Sequence, residues 1–92
     1  MHEMAIALAL IEQTETVARE QHARAIAGIT VVVGRLSGTD PDALRAVFEL
    51  AAEDTLAAGA RLEVEPADGR ELYIKSMDVD VEEAEQGGLK DV

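Results

Sequence analysis

The sequence contains no cysteine, and this absence limits how a chain of 92 residues can be held together. Disulfide bonds, thiolate catalysis and thiolate zinc sites are all excluded. A chain of this length forms one domain with one modest core and buries roughly two-thirds of its extended surface. Since there is one Phe, one Tyr and no Trp, the packing of aliphatic side chains must supply the stability.

The negative charge of the chain excludes several classes of partner. A formal net charge of -11 argues against nucleic acid, because phosphate binding requires clustered Lys and Arg. The chain is better suited to cations and to basic protein surfaces. No apolar run approaches the ~20 residues that span a bilayer. No basic segment precedes the apolar residues 4–11, as it would in a secretion signal. We therefore expect a soluble, cytoplasmic protein without a membrane partner.

Hydrophobic periodicity divides the first part of the chain into a helix and a strand. The pattern from Met4 to about Arg24 is helical. Its predicted apolar stripe consists of Met4, Leu8, Ile11, Val17 and Ala18. Met4 is therefore expected to be a core contact or a staple contact of this helix. Residues 26–36 contain the β-branched run 29–33, which favours a strand.

The second helix has the clearest local signal. Asp40 can cap its first turn, Pro41 suits the first helical position, and Asp42 complements the helix dipole. Its predicted apolar face consists of Leu44, Val47, Phe48 and Ala51. Leu62 and Val64 then alternate with charged residues, as expected for a half-buried strand.

Residues 66–69 have the composition of a tight turn, so the last two strands are predicted to form a β-hairpin. The final strand contains two apolar sets of opposite parity: Leu72 and Ile74 form one, and Met77, Val79 and Val81 form the other. A bulge near Lys75 and Ser76 would place both sets on the same face.

The order of elements, α-β-α-β-β, predicts an α+β fold. Two helices should cover one face of a small three-stranded sheet, giving a two-layer α/β sandwich. Residues 82–92 are acidic and contain glycine, and we predict a flexible tail there. Residues 1–81 would then form the single folded domain.

Enzyme chemistry has little support in the sequence. Residues 34–38 follow a strand, but they lack the lysine and the spacing of a phosphate-binding loop. Neither histidine lies in a recognisable acid–base motif. We therefore predict that the protein is not an enzyme.

The first three residues are the exception, because they can form a metal chelate. The α-amine of Met1, the backbone nitrogen of His2 and one imidazole nitrogen of His2 can form fused rings around one ion. Glu3 can add a backbone nitrogen or a carboxylate. A planar, nitrogen-rich set of this kind suits Ni(II) or Cu(II) and not Mg or Ca. The plainer interpretation is an ordinary chain start that carries a histidine and a helix-initiating acid.

The remaining candidate ligands have simpler explanations. His22 lies near the end of the first predicted helix, where an exposed or helix-capping histidine is expected. Residues 78–83 are acidic, but Val79 and Val81 alternate with acids as in a strand, and the glycine of a calcium loop is missing. We expect a solvated acidic edge.

Several segments, taken together, resemble the HypA/HybF family of nickel-incorporation proteins. They are residues 1–5 (MHEMA), 32–38 (VVGRLSG), 40–45 (DPDALR), 48–49 (FE), 60–64 (ARLEV) and 69–76 (GRELYIKS). The resemblance implies a metallochaperone for Ni(II), with Met1, His2 and Glu3 as the nickel site. It also implies two partners, the large subunit of [NiFe]-hydrogenase and a nickel-handling GTPase; some members of the family also serve urease.

One departure from the family is large. The family carries two Cys-x-x-Cys pairs between its last two strands, which form a structural zinc site. Here residues 65–70 pass directly from strand to strand, so no zinc is expected. Either a natural lineage lost this module or it was excised.

Two further interpretations follow from the same observations. The chain can instead be a subunit of a hydrogenase or maturation complex that does not bind metal and serves as an adaptor. The missing zinc module and the acidic end of the chain favour that alternative. A small sheet also leaves an edge strand exposed, through which a homodimer can form.

Overall fold

The computed structural model of the protein describes residues 2–81 and contains two helices and three strands in that range. They are α1 (Glu3–Glu20), β1 (Ala23–Gly34), α2 (Pro41–Ala51), β2 (Arg61–Ala67) and β3 (Leu72–Val81). The strand order is β2-β1-β3, with β1 parallel to β2 and antiparallel to β3. The predicted α+β class and element order are confirmed. The predicted tail, residues 82–92, lies outside the described residues.

Helix α1 ends earlier than predicted, because the backbone reverses at His22. This residue has a φ of 58°, in the left-handed region, and follows the C-cap residue Gln21. A residue in this conformation commonly terminates a helix. Strand β1 therefore begins at Ala23, three residues before the predicted start at Ile26.

The buried face of α1 differs from the predicted stripe. The residues that contact the core are Ala7, Leu10, Ile11 and Ala18. Met4 and Leu8 instead point outward, 38% and 53% exposed. The prediction that Met4 and Leu8 belong to the buried stripe is wrong, because residues 4–11 are apolar on every side and the pattern alone cannot select one stripe. Small alanines at the interface allow the helix to approach its neighbours closely.

The core lies between the two helices and one face of β1. Ile29, Val31 and Val33 alternate along β1 and belong to this core, as β-branched side chains on one pleated face should. Helix α2 contributes Leu44 and Phe48, which are 0% and 2% exposed. The apolar face predicted for α2 is therefore confirmed.

The predicted hairpin is wrong, because β2 and β3 do not pair with each other. Strand β1 lies between them, so the connection Asp68–Glu71 crosses the end of β1. The predicted turn is also displaced, since Pro66 and Ala67 pair with the last residues of β1 and belong to β2. A parallel β1-α2-β2 unit places β2 on one side of β1, and β3 then fills the other side.

Gly34, the last residue of β1, makes this crossing possible. A Cβ atom at Gly34 would overlap the carbonyl group of Gly69, which lies directly over it. Three backbone N–H groups hold the crossing segment: Gly34 donates to Glu71 at 2.7 Å, Arg35 to Ala67 at 2.9 Å and Leu36 to Gly69 at 2.8 Å. The connection is therefore packed tightly against the end of the central strand.

The predicted bulge in β3 is confirmed. Thr30 pairs with Ser76 and Val31 with Ile74, so Lys75 is the extra residue. Its ammonium group reaches Glu65 of β2 at 2.9 Å. The bulge thus returns Ile74 and Met77 to the core face.

Candidate metal centre

His2 immediately precedes α1 and has an exposed side chain. Its carbonyl oxygen accepts the N–H of Ile6 at 2.9 Å, which begins the hydrogen-bond pattern of the helix. Its imidazole does not cap the helix. The imidazole is therefore exposed and takes no part in capping the helix. Met1, whose α-amine completes the predicted chelate, lies outside the described residues.

Glu3 is the first residue of α1, and its carboxylate is buried against α2. Its Oε2 accepts the backbone N–H of Asp40 at 3.0 Å. This hydrogen bond lowers the pKa of Glu3 to about 2, because it stabilises the ionised form. Glu3 is thus an anion whose Oε2 joins the start of α1 to Asp40, 37 positions further along the chain.

Asp40 connects this contact to the start of the second helix. Its Oδ1 accepts the N–H of Asp42 at 3.0 Å and lies 3.5 Å from the N–H of Ala43. The predicted N-cap is confirmed. The sequence did not predict that Asp40 also meets Glu3, and no local pattern signals a contact over that separation.

Helices α1 and α2 lie side by side and run in the same direction. At one end Glu3 contacts Asp40, and at the other end Glu15 accepts the N–H of Leu56, which follows α2, at 3.0 Å. Both N-termini therefore lie at one end of the helical layer. The partial positive charges of two helix N-termini thus lie near the buried carboxylate of Glu3.

The other predicted candidates do not form a metal site within residues 2–81. His22 is exposed, as predicted. Asp78 and Asp80 belong to β3, where they pair with Arg61 and Arg24, both at 3.3 Å. No cluster of three His, Asp or Glu side chains that could hold an ion occurs in this part of the chain. A site at the chain start would therefore depend on backbone nitrogens as well as on the imidazole.

Comparison with known families identifies the chain. A family model described as "Hydrogenase/urease nickel incorporation, metallochaperone, hypA" matches residues 1–71. The chain belongs to the HypA family. The match ends at Glu71, where the crossing segment ends, and it includes His2, Glu3 and Asp40.

Curated relatives support membership of the HypA family. The chain is 46% identical over 70 residues to the hydrogenase maturation factor HypA of Chlorobaculum tepidum, covering 76% of this chain and 62% of the relative. It is 48% identical over 69 residues to HypA of Deinococcus radiodurans, covering 75% of this chain and 58% of the relative. The chain thus spans about three-fifths of the length of these relatives.

A solved structure shares the fold of this HypA-family chain. It is the solution structure of the Ni metallochaperone HypA from Helicobacter pylori, with a TM-score of 0.77 and 19% identity. The alignment covers 89% of this chain and 100% of that chain. No helix within residues 2–81 is long and apolar enough to cross a membrane.

Proposed function

We propose that the protein captures Ni(II) at its N-terminus and passes it on as a non-enzymatic metallochaperone. The observation that carries this proposal is the exposed imidazole of His2, which directly precedes α1 and takes no part in capping it. The ligands would be the α-amine of Met1, the backbone nitrogen and imidazole of His2, and the backbone nitrogen of Glu3. Four nitrogens in a plane suit Ni(II).

The role of Glu3 in this proposal differs from that of a carboxylate ligand. Because its Oε2 already accepts the N–H of Asp40, its side chain anchors the start of α1. A fixed helix start holds His2 and the backbone of Glu3 in place, so that fewer bonds must be ordered when the ion binds.

The wider assignment follows from the family. We propose residues 1–81 as the nickel-binding unit, acting without a zinc module, because β2 passes to β3 through only the segment Asp68–Glu71. The recipient would be the large subunit of [NiFe]-hydrogenase, with a nickel-handling GTPase as the helping partner, in the cytoplasm. All three ligand residues lie in the region that the family model matches.

A calorimetric nickel titration of the untagged full chain tests the capture step. Wild type should bind about one Ni(II) per chain, and the complex should show the absorption spectrum of planar, diamagnetic Ni(II). Binding should weaken as the pH falls, because the ligands must lose protons. His2→Ala and a two-residue N-terminal extension should each abolish binding. His22→Ala is the matched control, since it removes an exposed imidazole at the other end of α1 and should leave binding intact.

Glu3→Gln separates the two roles of the third residue. If Glu3 supplies only its backbone nitrogen, the variant keeps the absorption spectrum of the planar Ni(II) complex and most of the affinity for Ni(II). Nickel binding that survives both His2→Ala and the extension would refute the N-terminal chelate.

A further inference from the structure

Two arginines, Arg35 and Arg70, lie side by side where the crossing segment passes the end of β1. The N–H groups of the two residues that flank Arg35 donate to the carbonyl groups of the two residues that flank Arg70, at 2.7 and 2.8 Å. These bonds continue the antiparallel register of β1 and β3 beyond the last paired residues of the sheet. The backbones of the two arginines are therefore neighbours.

Neither guanidinium contributes much to the stability of the fold. Like charges at neighbouring positions of adjacent strands repel each other and destabilise a sheet. Arg70 is exposed, and no carboxylate in the described part of the chain lies within ion-pair distance of it. Arg35 is 71% exposed, and the carboxylate of Asp68, itself fully exposed, lies 4.0 Å away. An exposed pair at this distance is worth little.

The other cations within residues 2–81 are used differently, because each has a carboxylate at 3.5 Å or less. They are Arg19, Arg24, Arg45, Arg61 and Lys75, paired with Glu15, Asp80, Asp42, Asp78 and Glu65 respectively. A guanidinium carries several N–H donors in a planar fork and can bind a carboxylate through two of them. Arg35 and Arg70 thus keep donors for an anion from outside the molecule.

Leu36 adds an apolar contact beside the two arginines. Its side chain is 57% exposed, although its backbone is fixed by the hydrogen bond from its N–H to Gly69 at 2.8 Å. Arginine and large apolar side chains together are typical of protein–protein contacts, whereas a free anion would need only the arginines. We call Arg35, Leu36 and Arg70 the arginine surface.

The nearby carboxylates do not all compete for the arginine surface. Glu71 accepts the N–H of Gly69 at 2.8 Å, and Glu3 accepts the N–H of Asp40 at 3.0 Å. Both carboxylates are therefore compensated by backbone donors. Asp68 is different, since its side chain is fully exposed and its carboxylate faces only Arg35, at 4.0 Å, within the described residues. A carboxylate from a partner would take the place of Asp68.

We propose that the arginine surface docks a short acidic segment of a partner protein. Carboxylates of that segment would bind Arg35 and Arg70, and an apolar side chain would cover Leu36. The net charge of -11 opposes a broadly acidic partner, but charges are screened beyond about 8 Å at physiological ionic strength. A short acidic segment on an otherwise neutral or basic partner therefore fits this surface.

The arginine surface lies at the same end of the molecule as His2. Leu36 precedes Asp40 by four residues, so their Cα atoms are at most about 14 Å apart. The N–H of Asp40 in turn donates to Glu3, the residue after His2. A docked partner would thus lie near the proposed site of nickel capture. Docking itself needs no metal and should persist in His2→Ala, so failure of one proposal is distinguishable from failure of the other.

The test titrates a short capped peptide of alternating glutamate and leucine into the metal-free full chain. Amide chemical shifts should change at residues 34–37 and 67–71, and not at the opposite end of the sheet around Arg24. Arg35→Ala and Arg70→Ala should each weaken binding about fivefold, as expected for the loss of one exposed charge pair. Asp68→Asn should strengthen binding, because it removes the carboxylate that competes for Arg35.

Matched controls decide between the arginine surface and unspecific attraction. Arg19→Ala removes a guanidinium of similar exposure, 65%, from α1 and should leave binding unchanged. Arg35→Ala and Arg70→Ala should keep the urea midpoint of wild type, which verifies that both variants are folded. The proposal is overturned if Arg19→Ala weakens binding as much as Arg35→Ala, or if a lysine version of the peptide binds equally well.

Two further results would also overturn it. Weaker binding by Asp68→Asn would mean that no competition for Arg35 exists. The chain's own acidic residues are an alternative occupant, and the triple variant Glu82→Gln, Glu83→Gln, Glu85→Gln tests them without a peptide. Amide shifts at residues 34–37 in that variant would assign the arginine surface to the chain itself, whereas unchanged shifts support a separate partner.

Discussion

Gly34→Ala tests the crossing that distinguishes this sheet from a hairpin. The added Cβ would overlap the backbone of Gly69, and it would also meet the carboxylate of Glu71. Backbone atoms cannot rotate away as a long side chain can. The crossing segment must therefore move, or β1 must bend at its last residue.

The cost can be worked out from the contacts. Moving Gly69 breaks its hydrogen bond with Leu36, and moving Glu71 breaks the bond with Gly34; each is worth ~1 kcal/mol net. The strain of an overpacked site adds about 1–3 kcal/mol. Alanine restricts the unfolded chain and returns about 0.4–1 kcal/mol. The expected net loss of unfolding free energy is about 2–4.6 kcal/mol.

Urea and thermal unfolding, followed by circular dichroism, would measure this loss. For a domain of this size each kcal/mol corresponds to about 4–8 °C, so the midpoint should fall by at least about 8 °C. Gly69→Ala is the matched control, because its Cβ would meet only the flexible carboxylate end of Glu71, at 3.1 Å. It should remain within about 0.5 kcal/mol of wild type. If Gly34→Ala is no less stable than Gly69→Ala, the tight crossing does not exist in solution.

Three further changes test the core, a helix end and a buried anion. Phe48→Ala should cost about 3–5 kcal/mol of unfolding free energy, because Phe48 is 2% exposed. The exposed residue Leu50 is the control, and Leu50→Ala should cost under about 0.5 kcal/mol. Equal losses in urea unfolding would contradict the assigned buried face of α2. His22→Gly should raise the thermal midpoint, because glycine adopts the left-handed conformation without the steric penalty, up to about 1 kcal/mol, of a residue that has a Cβ atom. A lowered midpoint would show that His22 is not strained. The lowered pKa of Glu3 means that its contribution is fully present above pH 4.5 and is lost as the pH falls towards 2. The stability difference between wild type and Glu3→Gln should shrink over that range, and a constant difference in unfolding experiments would rule out the ionised contact with Asp40.

Much of the fold follows from local patterns. Asp40 and Pro41 mark the start of α2, because capping depends on neighbours within one turn. The opposed parities of Ile74 and Met77 reveal the bulge at Lys75, since a strand alternates with a period of two. Each of these features is encoded over a few consecutive residues.

Partner choice between strands could not be predicted in the same way. A short polar connection suits a hairpin, yet β2 and β3 lie on opposite sides of β1. The order is decided by the β1-α2-β2 crossover and by the room that Gly34 leaves for Gly69. Both depend on contacts between residues far apart in the chain.

The sequence by itself determined the helices and strands, the family and the candidate ligand His2, because these depend on local residue patterns. Tertiary structure alone decided what surrounds that ligand. It turned Met4 and Leu8 outward from an evenly apolar helix, and it committed the carboxylate of Glu3 to the N–H of Asp40. The physical reason is that burial and long-range hydrogen bonds are properties of the packed layers, and a periodic pattern does not specify which of its faces another layer will cover.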